Sequence, residues 1–420
     1  MDTIRWTEDI PVAGKYDVLV AGGGLAGVAA ALSAARRGQR VLLLEKQCAL
    51  GGLATTGLVN FWVPLCNGRG KLIIRGMAEE FLKLSVRDGF DTLPPAWKNG
   101  EPSAPTQERC TSLFSAGLFA LALLKLLRDA GVTIAYDTVV TDVLMDGGAC
   151  RGVIAAGKSC KRFYEANMLV DATGDAELLQ KAGVPTVEGR NYMTYYGEGV
   201  TLESCKKALE TGNLANAYYH AFGGSATLSG YGQTPEMSLY YGADADEINR
   251  YLQENQLLLL EKELQKPRGA RAVHMLPGMP QLRTSRRLDG DVTFTETLVY
   301  QHRADSIGTI CDFEYRDRLY EVPYGALVRS GFSNLITCGR CACASGWGWD
   351  VLRVIPPAVL TGQAAGIAAA MANETGAPIA SLPVAPLQKA LADTGVIIHF
   401  DDAWVPADKK DARGAAEGHI

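Results

Sequence analysis

Residues 17–37 read DVLVAGGGLAGVAAALSAARR, and the fold turns on them. Residues 17–21 form a short apolar run of the kind buried in a parallel strand, and residues 27–37 have the alanine-rich texture of a closely packed helix. Between them Gly22, Gly24 and Gly27 stand in the spacing G-x-G-x-x-G. In a strand-to-helix turn the first glycine makes the tight bend, the second lets a pyrophosphate approach the backbone, and the third lets helix and strand pack. With Leu25 and Ala26 these glycines form a cradle whose unpaired N–H groups and positive helix end suit phosphate. A tight turn without a ligand also needs glycines, so the flanking segments carry the decision.

Residues 41–44 (VLLL) supply a second buried strand, so the unit reads strand, helix, parallel strand. Glu45 ends that strand at about the 20-residue offset of an acid that bonds a ribose hydroxyl. A carboxylate there repels a 2′-phosphate, which disfavours an NADP-type ligand. Standing alone, a strand-end acid is simply solvated. The next segment, 45–57, reads EKQCALGGLATTG. An NAD-dependent dehydrogenase remains an alternative, but its nucleotide domain has no need of the second glycine pair, Gly51 and Gly52.

That segment resembles the large family of FAD-dependent oxidoreductases with a glutathione-reductase-type nucleotide domain. The resemblance implies FAD as cofactor, with Glu45 and Lys46 at the adenosine ribose and Gly51, Gly52, Ala54 and Thr55 passing the pyrophosphate and flavin. Val139 and Val140 resemble the strand that meets the adenine. Residues 171–175 (DATGD) resemble the family's A-T-G-D segment, which brings Ala172, Thr173, Gly174 and Asp175 back to the pyrophosphate. Residues 334–370 (NLITCGRCACASGWGWDVLRVIPPAVLTGQAAGIAAA) resemble the last flavin motif of a subgroup known only as FAD-dependent oxidoreductases. The shared pattern is Gly339, Arg340 and Cys341, then Arg353, Pro356 and the run 362–366; it implies that Gly339, Arg340, Arg353 and Pro357 serve the cofactor. Residues 282–291 (LRTSRRLDGD) resemble the subgroup's arginine-rich segment. Trp347 and Trp349, in an expected loop over 345–351, match no shared pattern. A helix starting near Pro357 would aim its positive end at an anionic reduced flavin; a small-residue helix packed tightly on the sheet accounts for the same residues, and the two readings are compatible.

The chain has 420 residues, which suggests two or three units. Hydrophobic residues at 47% and charged residues at 21% exclude disorder, coiled coil and collagen. Its 46 glycines exceed the roughly 7% background and gather in the segments above. The expected class is α/β: a Rossmann-like FAD-binding domain, a parallel sheet with helices on it, plus an inserted α+β substrate domain. Residues 14–59, 106–184 and 325–400 are assigned to the FAD-binding domain and 60–105 to a small insertion with a helix over 76–88 and a proline-rich loop over 93–105. Residues 185–324 form the expected substrate domain, crowded with tyrosines and holding a helix over 244–265. Residues 401–420 form a loosely held tail. Further expectations are helices over 118–130 and 358–372, strands over 132–136, 139–145, 168–172 and 335–339, and a hairpin of 150–155 with 159–165.

Lys+Arg 41 against Asp+Glu 46 gives a net charge of -5 with no basic block, which argues against nucleic acid as a partner. The opening MDTIRWTEDIPVAG has acids where an export signal needs an apolar run. Two charge-free stretches, 18–35 and 354–373, have the length of membrane spans, but their glycines, alanines and prolines argue against a membrane. Ten cysteines in such a chain read as reduced thiols, and the expected location is cytoplasmic. Cys338, Cys341 and Cys343 have no fourth thiol nearby for a cluster and fit small buried hydrophobes better than a metal site.

For catalysis, Arg283, Arg286 and Arg287 could grip a carboxylate or phosphate, or form a basic surface loop. His274 and His302 fall in the expected substrate domain and could carry the proton that accompanies a hydride, or be structural. The tyrosines at 192–196 could line the flavin or simply pack. No second G-x-G-x-x-G occurs mid-chain, and Cys66 has no C-x-x-x-x-C partner. Electrons therefore come from the substrate, a free nicotinamide or a partner protein. The leading reading is an oxidoreductase exchanging a hydride or two electrons between flavin and a small organic substrate. The alternative is an FAD-binding electron-transfer or partner subunit with no substrate pocket, and an oligomer is left open.

Overall fold

The structure is a computed structural model that describes residues 2–158, 160–227 and 230–412. Its centre is the strand Val12–Ala21, whose last four residues are wholly buried. It lies parallel to Val41–Leu44 on one side and to Lys161–Asp171 on the other. Thr133–Ala135 extends the sheet beyond Val41–Leu44, and Leu335–Thr337 extends it beyond Lys161–Asp171, both parallel. Ala21 is level with Leu44 and Asp171, and Asp171 with Thr337, so the carboxyl ends of four strands open at one edge. In an open parallel sheet that edge is where ligands bind.

The strand Lys161–Asp171 is one continuous element. The expected hairpin arm at 159–165 and the expected strand at 168–172 are its two halves, with Ser159 outside the described residues. Its first half pairs antiparallel with Ala149–Ala156, which pairs antiparallel with Val139–Asp146. Its second half is buried between parallel neighbours. The burial pattern changes accordingly from alternating to continuous, and that change looked like a break in sequence.

Two helices cover one face of the sheet. Leu25–Arg36 is almost wholly buried, and the long helix Ile355–Thr375 crosses it. A Cβ on Gly362 would sit 2.1 Å from the Ala26 carbonyl oxygen, and one on Gly366 would sit 2.1 Å from that of Ala30. The two backbones therefore touch where no side chain fits. Ile355–Thr375 is long and apolar enough to cross a membrane by length and composition, yet 89% of its most apolar window is buried inside the protein. Pro356 and Pro357 do not break it, because they fall in the first turn, where no backbone N–H is needed. The expected loop at 345–351 is helical: Gly346–Arg353 forms a short helix leading into the long one.

Residues 60–105 do not stand apart. Trp62, Ile73, Met77, Phe81 and Trp97 share the main core with Leu25–Arg36 and Ile355–Thr375, and the helix is Met77–Arg87. Phe294, Ile307, Tyr320 and Tyr324 belong to that core as well. A second cluster, with Leu19, Leu42, Val153, Leu169 and Leu335, belongs to the same sheet, and a further core lies between Met193 and Leu282, with Tyr195, Ala221, Tyr240, Tyr251 and Leu259. There, Thr194–Val200 pairs antiparallel with Tyr218–Ser225 and with Ala272–Met275, and the helix Ala245–Leu264 lies on one face. Gly223 and Gly224 let it approach, since Cβ atoms there would meet the Asn255 carbonyl oxygen at 2.2 Å and the Asn255 side-chain oxygen at 2.4 Å. The start of the expected loose tail is held: Val405 is buried in the main core, while residues 413–420 lie outside the described residues.

Replacing Gly366 with Ala should cost about 1–3 kcal/mol in chemical denaturation, the usual range for forced overpacking. Gly117→Ala, in the helix Ala116–Asp129 with nothing within 4 Å of the added Cβ, should be neutral or stabilising. Equal effects at the two sites would refute the backbone crossing.

Candidate functional site

The carboxyl edge of the sheet opens into a groove lined by segments from both ends of the chain, the concave kind of site that ligands occupy. The glycine turn forms its floor. Gly22, with φ +104°, lies so close to the next strand end that a Cβ would be 2.4 Å from the Ala172 carbonyl oxygen. A Cβ on Gly27 would be 1.9 Å from the Gly22 oxygen. Gly24 differs: it lines the groove, and a Cβ there would meet nothing within 4 Å. Two of the three glycines thus serve packing, and the middle one leaves room over the N-terminus of Leu25–Arg36.

The second glycine pair is fastened to the first turn. The Gly51 N–H donates to the Gly23 carbonyl at 2.8 Å, and Gly51 bridges Gly24 in parallel register. Glu45 is buried beside them, accepting from the Gly23 N–H and the Gln47 N–H, each at 2.6 Å. Its carboxylate therefore also holds the turn in shape.

Of the residues expected at the cofactor, the groove is lined by Gly22, Gly24, Leu25, Ala26, Glu45, Lys46, Gly51, Gly52, Ala54, Val140, Ala172, Thr173, Gly174, Gly339, Arg340 and Arg353. Gly27, Thr55, Asp175 and Pro357 stand behind these walls. Thr55 donates to the Leu50 carbonyl at 2.6 Å, and the Pro357 carbonyl accepts from Thr361, whose hydroxyl oxygen receives the Gly339 N–H at 2.9 Å. Asp175 pairs with the buried Arg340 guanidinium at 2.9 Å and accepts from the Ser285 hydroxyl. Arg353, also buried, donates from Nε to Asp350 at 2.9 Å; burial draws its pKa down, against the attraction of Asp350. Asp171 ends its strand fully buried; burial pushes its carboxyl up to about 6, opposed by N–H donors from Leu179 and Thr173 and by the Thr173 hydroxyl. Walls that sequence reasoning missed include Leu53, Thr138, Glu177, Met279, Ile355 and Ala358. Ile355 and Ala358 flank Pro357, so the helix start itself was the available signal.

The four residues singled out for catalysis are dispersed. Arg287 is buried on the strand Arg286–Leu288, donating to the Leu288 carbonyl and to the Cys343 sulfur, with Trp349 under its guanidinium. Arg283 donates to the Gln281 carbonyl at 2.8 Å. His302 donates or accepts at the buried Glu321 at 2.7 Å and at Asp402 at 3.2 Å. His274 lies 3.8 Å from Glu198 on the three-stranded sheet. None of the four lines the groove. The thiols of Cys338 and Cys341 are fully buried and pushed up by desolvation, and no disulfide joins the described residues.

A family profile described as FAD dependent oxidoreductase matches residues 17–238 and 242–391. The chain belongs to that family. FAD is accordingly its cofactor. Among curated proteins it is similar to a digeranylgeranylglycerophospholipid reductase of Methanoculleus marisnigri, 28% identical over 181 residues, which span 41% of this chain and 42% of that protein. Among solved structures it is similar to a geranylgeranyl bacteriochlorophyll reductase-like protein of Thermoplasma acidophilum, with 15% identity, TM-score 0.44, and coverage of 96% of this chain and 97% of the other. A p-nitrophenol 4-monooxygenase of Pseudomonas putida gives 17% identity, TM-score 0.43, and coverage of 96% and 92%.

The open face of Gly24 supplies a test that separates binding from folding. Its backbone, φ -63° and ψ 171°, is open to any residue. Gly24→Val should leave the unfolding midpoint of the apoprotein within about 0.5 kcal/mol of the parent, as for an unstrained surface change. FAD affinity, measured by fluorescence quenching, should fall at least about 100-fold, because the added methyls occupy the path of the pyrophosphate. Undiminished FAD binding would exclude that path.

Proposed function

We propose that FAD lies along this groove and exchanges a hydride or two electrons with a small organic molecule. The residues fit the group. Gly24 and the N-terminus of Leu25–Arg36 would take the pyrophosphate, Glu45 the adenosine ribose, and Thr138 to Val140 the adenine. Gly51 to Ala54, Met279, Arg353 and Ile355 would hold the flavin end. The observation that carries this reading is the one glycine whose missing side chain opens into the groove rather than into packed backbone. When bound, the cofactor supplies reversible two-electron chemistry.

The chain's own groups supply position and field. Arg353 and the start of Ile355–Thr375 bring positive potential to one end of the groove, which favours negative charge developing there. Thr361 fixes the Gly339 turn by taking its N–H, and the Asp175–Arg340 pair ties the strand-end segment to the loop carrying Ser285. Met279 and Arg340 also wall an adjoining space of about 480 Å³ that reaches Gly242, Ala243 and Ile248 in the second unit. A substrate reaching the flavin between the two cores fits the preference of ligand sites for such junctions.

The purified protein should be yellow, with flavin absorbance that survives gel filtration. Under anaerobic conditions that absorbance should bleach with one member of a panel of NADH, sugars, alcohols, hydroxy acids and amines, and return in air. A colourless protein that takes up no added FAD would end this reading; bleaching only by a reduced partner protein would favour an electron-transfer subunit.

A further inference from the structure

A second cavity, of about 540 Å³, lies where the three-stranded sheet meets the nucleotide unit. Alternation along Thr194–Val200 turns Tyr196, Glu198 and Val200 to one face, and their cross-strand partners there are Phe222, His220 and Tyr218. Tyr195 belongs instead to the core under the helix Ala245–Leu264. Asn60, Phe90 and Leu113 close the cavity from the nucleotide side. The segment before Asn60 runs directly from the groove wall: Gln281 donates to the Gly57 carbonyl at 2.7 Å and to that of Tyr196 at 3.0 Å, and the Tyr196 hydroxyl donates to the Leu58 carbonyl at 3.1 Å.

The polar groups of the cavity are unusual for packing. Glu198 is 8% exposed, and among the described residues its polar partners are the Asn60 amide, donating at 3.2 Å, and His274 at 3.8 Å. Asn60 is 7% exposed, and its Oδ1 is buried with no hydrogen-bond partner. The His220 ring stacks on Tyr196 at 4.4 Å, and among the described residues no hydrogen bond reaches either ring nitrogen. Desolvation raises the Glu198 carboxyl and lowers the His220 imidazole, so burial favours the uncharged form of both. The Phe90 and Tyr218 rings touch each other, 6.4 Å centre to centre and tilted by 39°, and together make one apolar wall. Among the described residues no Lys or Arg lines the cavity, so a carboxylate or phosphate would be desolvated without a partner.

We propose that this cavity binds an uncharged, ring-bearing alcohol, whose hydroxyl hydrogen-bonds His220 and Glu198 while its ring lies against the wall formed by Phe90 and Tyr218. Binding itself is independent of the cofactor; calling this alcohol the substrate rests on the placement of FAD in the neighbouring groove. The imidazole offers one donor and one acceptor nitrogen, matched to a hydroxyl that both donates and accepts. Asn60 is a positioning residue, holding the Glu198 carboxyl towards the strand partner it faces.

Calorimetric titration of the FAD-loaded protein with cyclohexanol, cyclohexylamine and cyclohexanecarboxylate tests this with one ring and three head groups. Cyclohexanol should give saturable heat, and the amine and carboxylate should bind at least 10-fold more weakly. His220→Phe, which keeps the stacking surface, should weaken cyclohexanol about 10-fold, the equivalent of about 1.4 kcal/mol. Ala215→Trp, which fills the cavity from its edge, should abolish the heat while flavin absorbance is unchanged. No saturable heat with cyclohexanol, equal binding by Ala215→Trp, or tighter binding of either charged analogue overturns the proposal. Should the protein fail to take FAD, the same titrations on the apoprotein read the cavity alone, so the two readings fail separately.

Discussion

The contact between the backbones of Leu25–Arg36 and Ile355–Thr375 sets the position of almost everything in the groove. Gly362 and Gly366 stand one helical turn apart, against the carbonyls of Ala26 and Ala30. Two helices at that separation have no freedom to slide without meeting a carbonyl. Their N-termini are consequently fixed relative to each other, one at Gly24 and the other at Ile355, and both line the groove. Gly339 completes the arrangement: a Cβ there would be 2.7 Å from that of Ala26, so the turn after the last parallel strand lies directly on the first helix. Segments from opposite ends of the chain thus meet at one sheet edge through steric contact between small residues.

The second unit is attached by polar contacts of a different kind. Gln281 spends its side chain on three backbone groups, accepting the Tyr196 N–H and donating to the Tyr196 and Gly57 carbonyls. It is wholly buried. Leu58, between Gly57 and Asn60, has φ 60°, a left-handed conformation a bulky residue seldom adopts. Its carbonyl is the one the Tyr196 hydroxyl bonds. The strain is therefore held in place by the second sheet, and the chain leaving the groove is steered to the edge of the other cavity. The sheet reads as a two-sided wall, with one face on its own helix and the other on the nucleotide unit.

Much of the first unit was legible because its rules are local. Gly22 was readable as the glycine of the tight bend and Gly27 as the one that helix–strand packing requires, and the helix after them followed from its alanine texture. The continuous strand Lys161–Asp171 was not legible, because its partner changes from antiparallel to parallel midway and no residue marks the change. The helix Gly346–Arg353 was missed for a related reason: its first residue has φ 55°, a turn signal, and its burial comes from distant residues such as Thr295 and Glu296. The division within 185–324 was hidden because burial of Phe294 or Tyr320 in the main core depends on which surface is nearby, while their sequence pattern only says that they are buried somewhere. The second cavity left one usable trace. An acid in the middle of TYYGEGV, on the same side of the alternation as Tyr196, is a buried carboxylate unless something compensates it.

The arginines show how far charge counting misleads about such sites. Arg283, Arg286 and Arg287 drew notice as a dense cationic run, yet each spends hydrogen bonds on backbone carbonyls of this chain. The two arginines that do line the groove, Arg340 and Arg353, come from a segment with no excess of charge, and each is paired internally with Asp175 or Asp350. That pairing has a physical consequence. An unpaired buried guanidinium would carry a large desolvation cost in the apoprotein. With an aspartate held beside each, the charges keep their orientation before any cofactor arrives, and a phosphate or an anionic ring meets oriented donors rather than having to reorganise them. Preorganisation here depends on neutral pairs at the groove wall, which is why the groove's net charge says less about its ligand than the geometry of the glycines does.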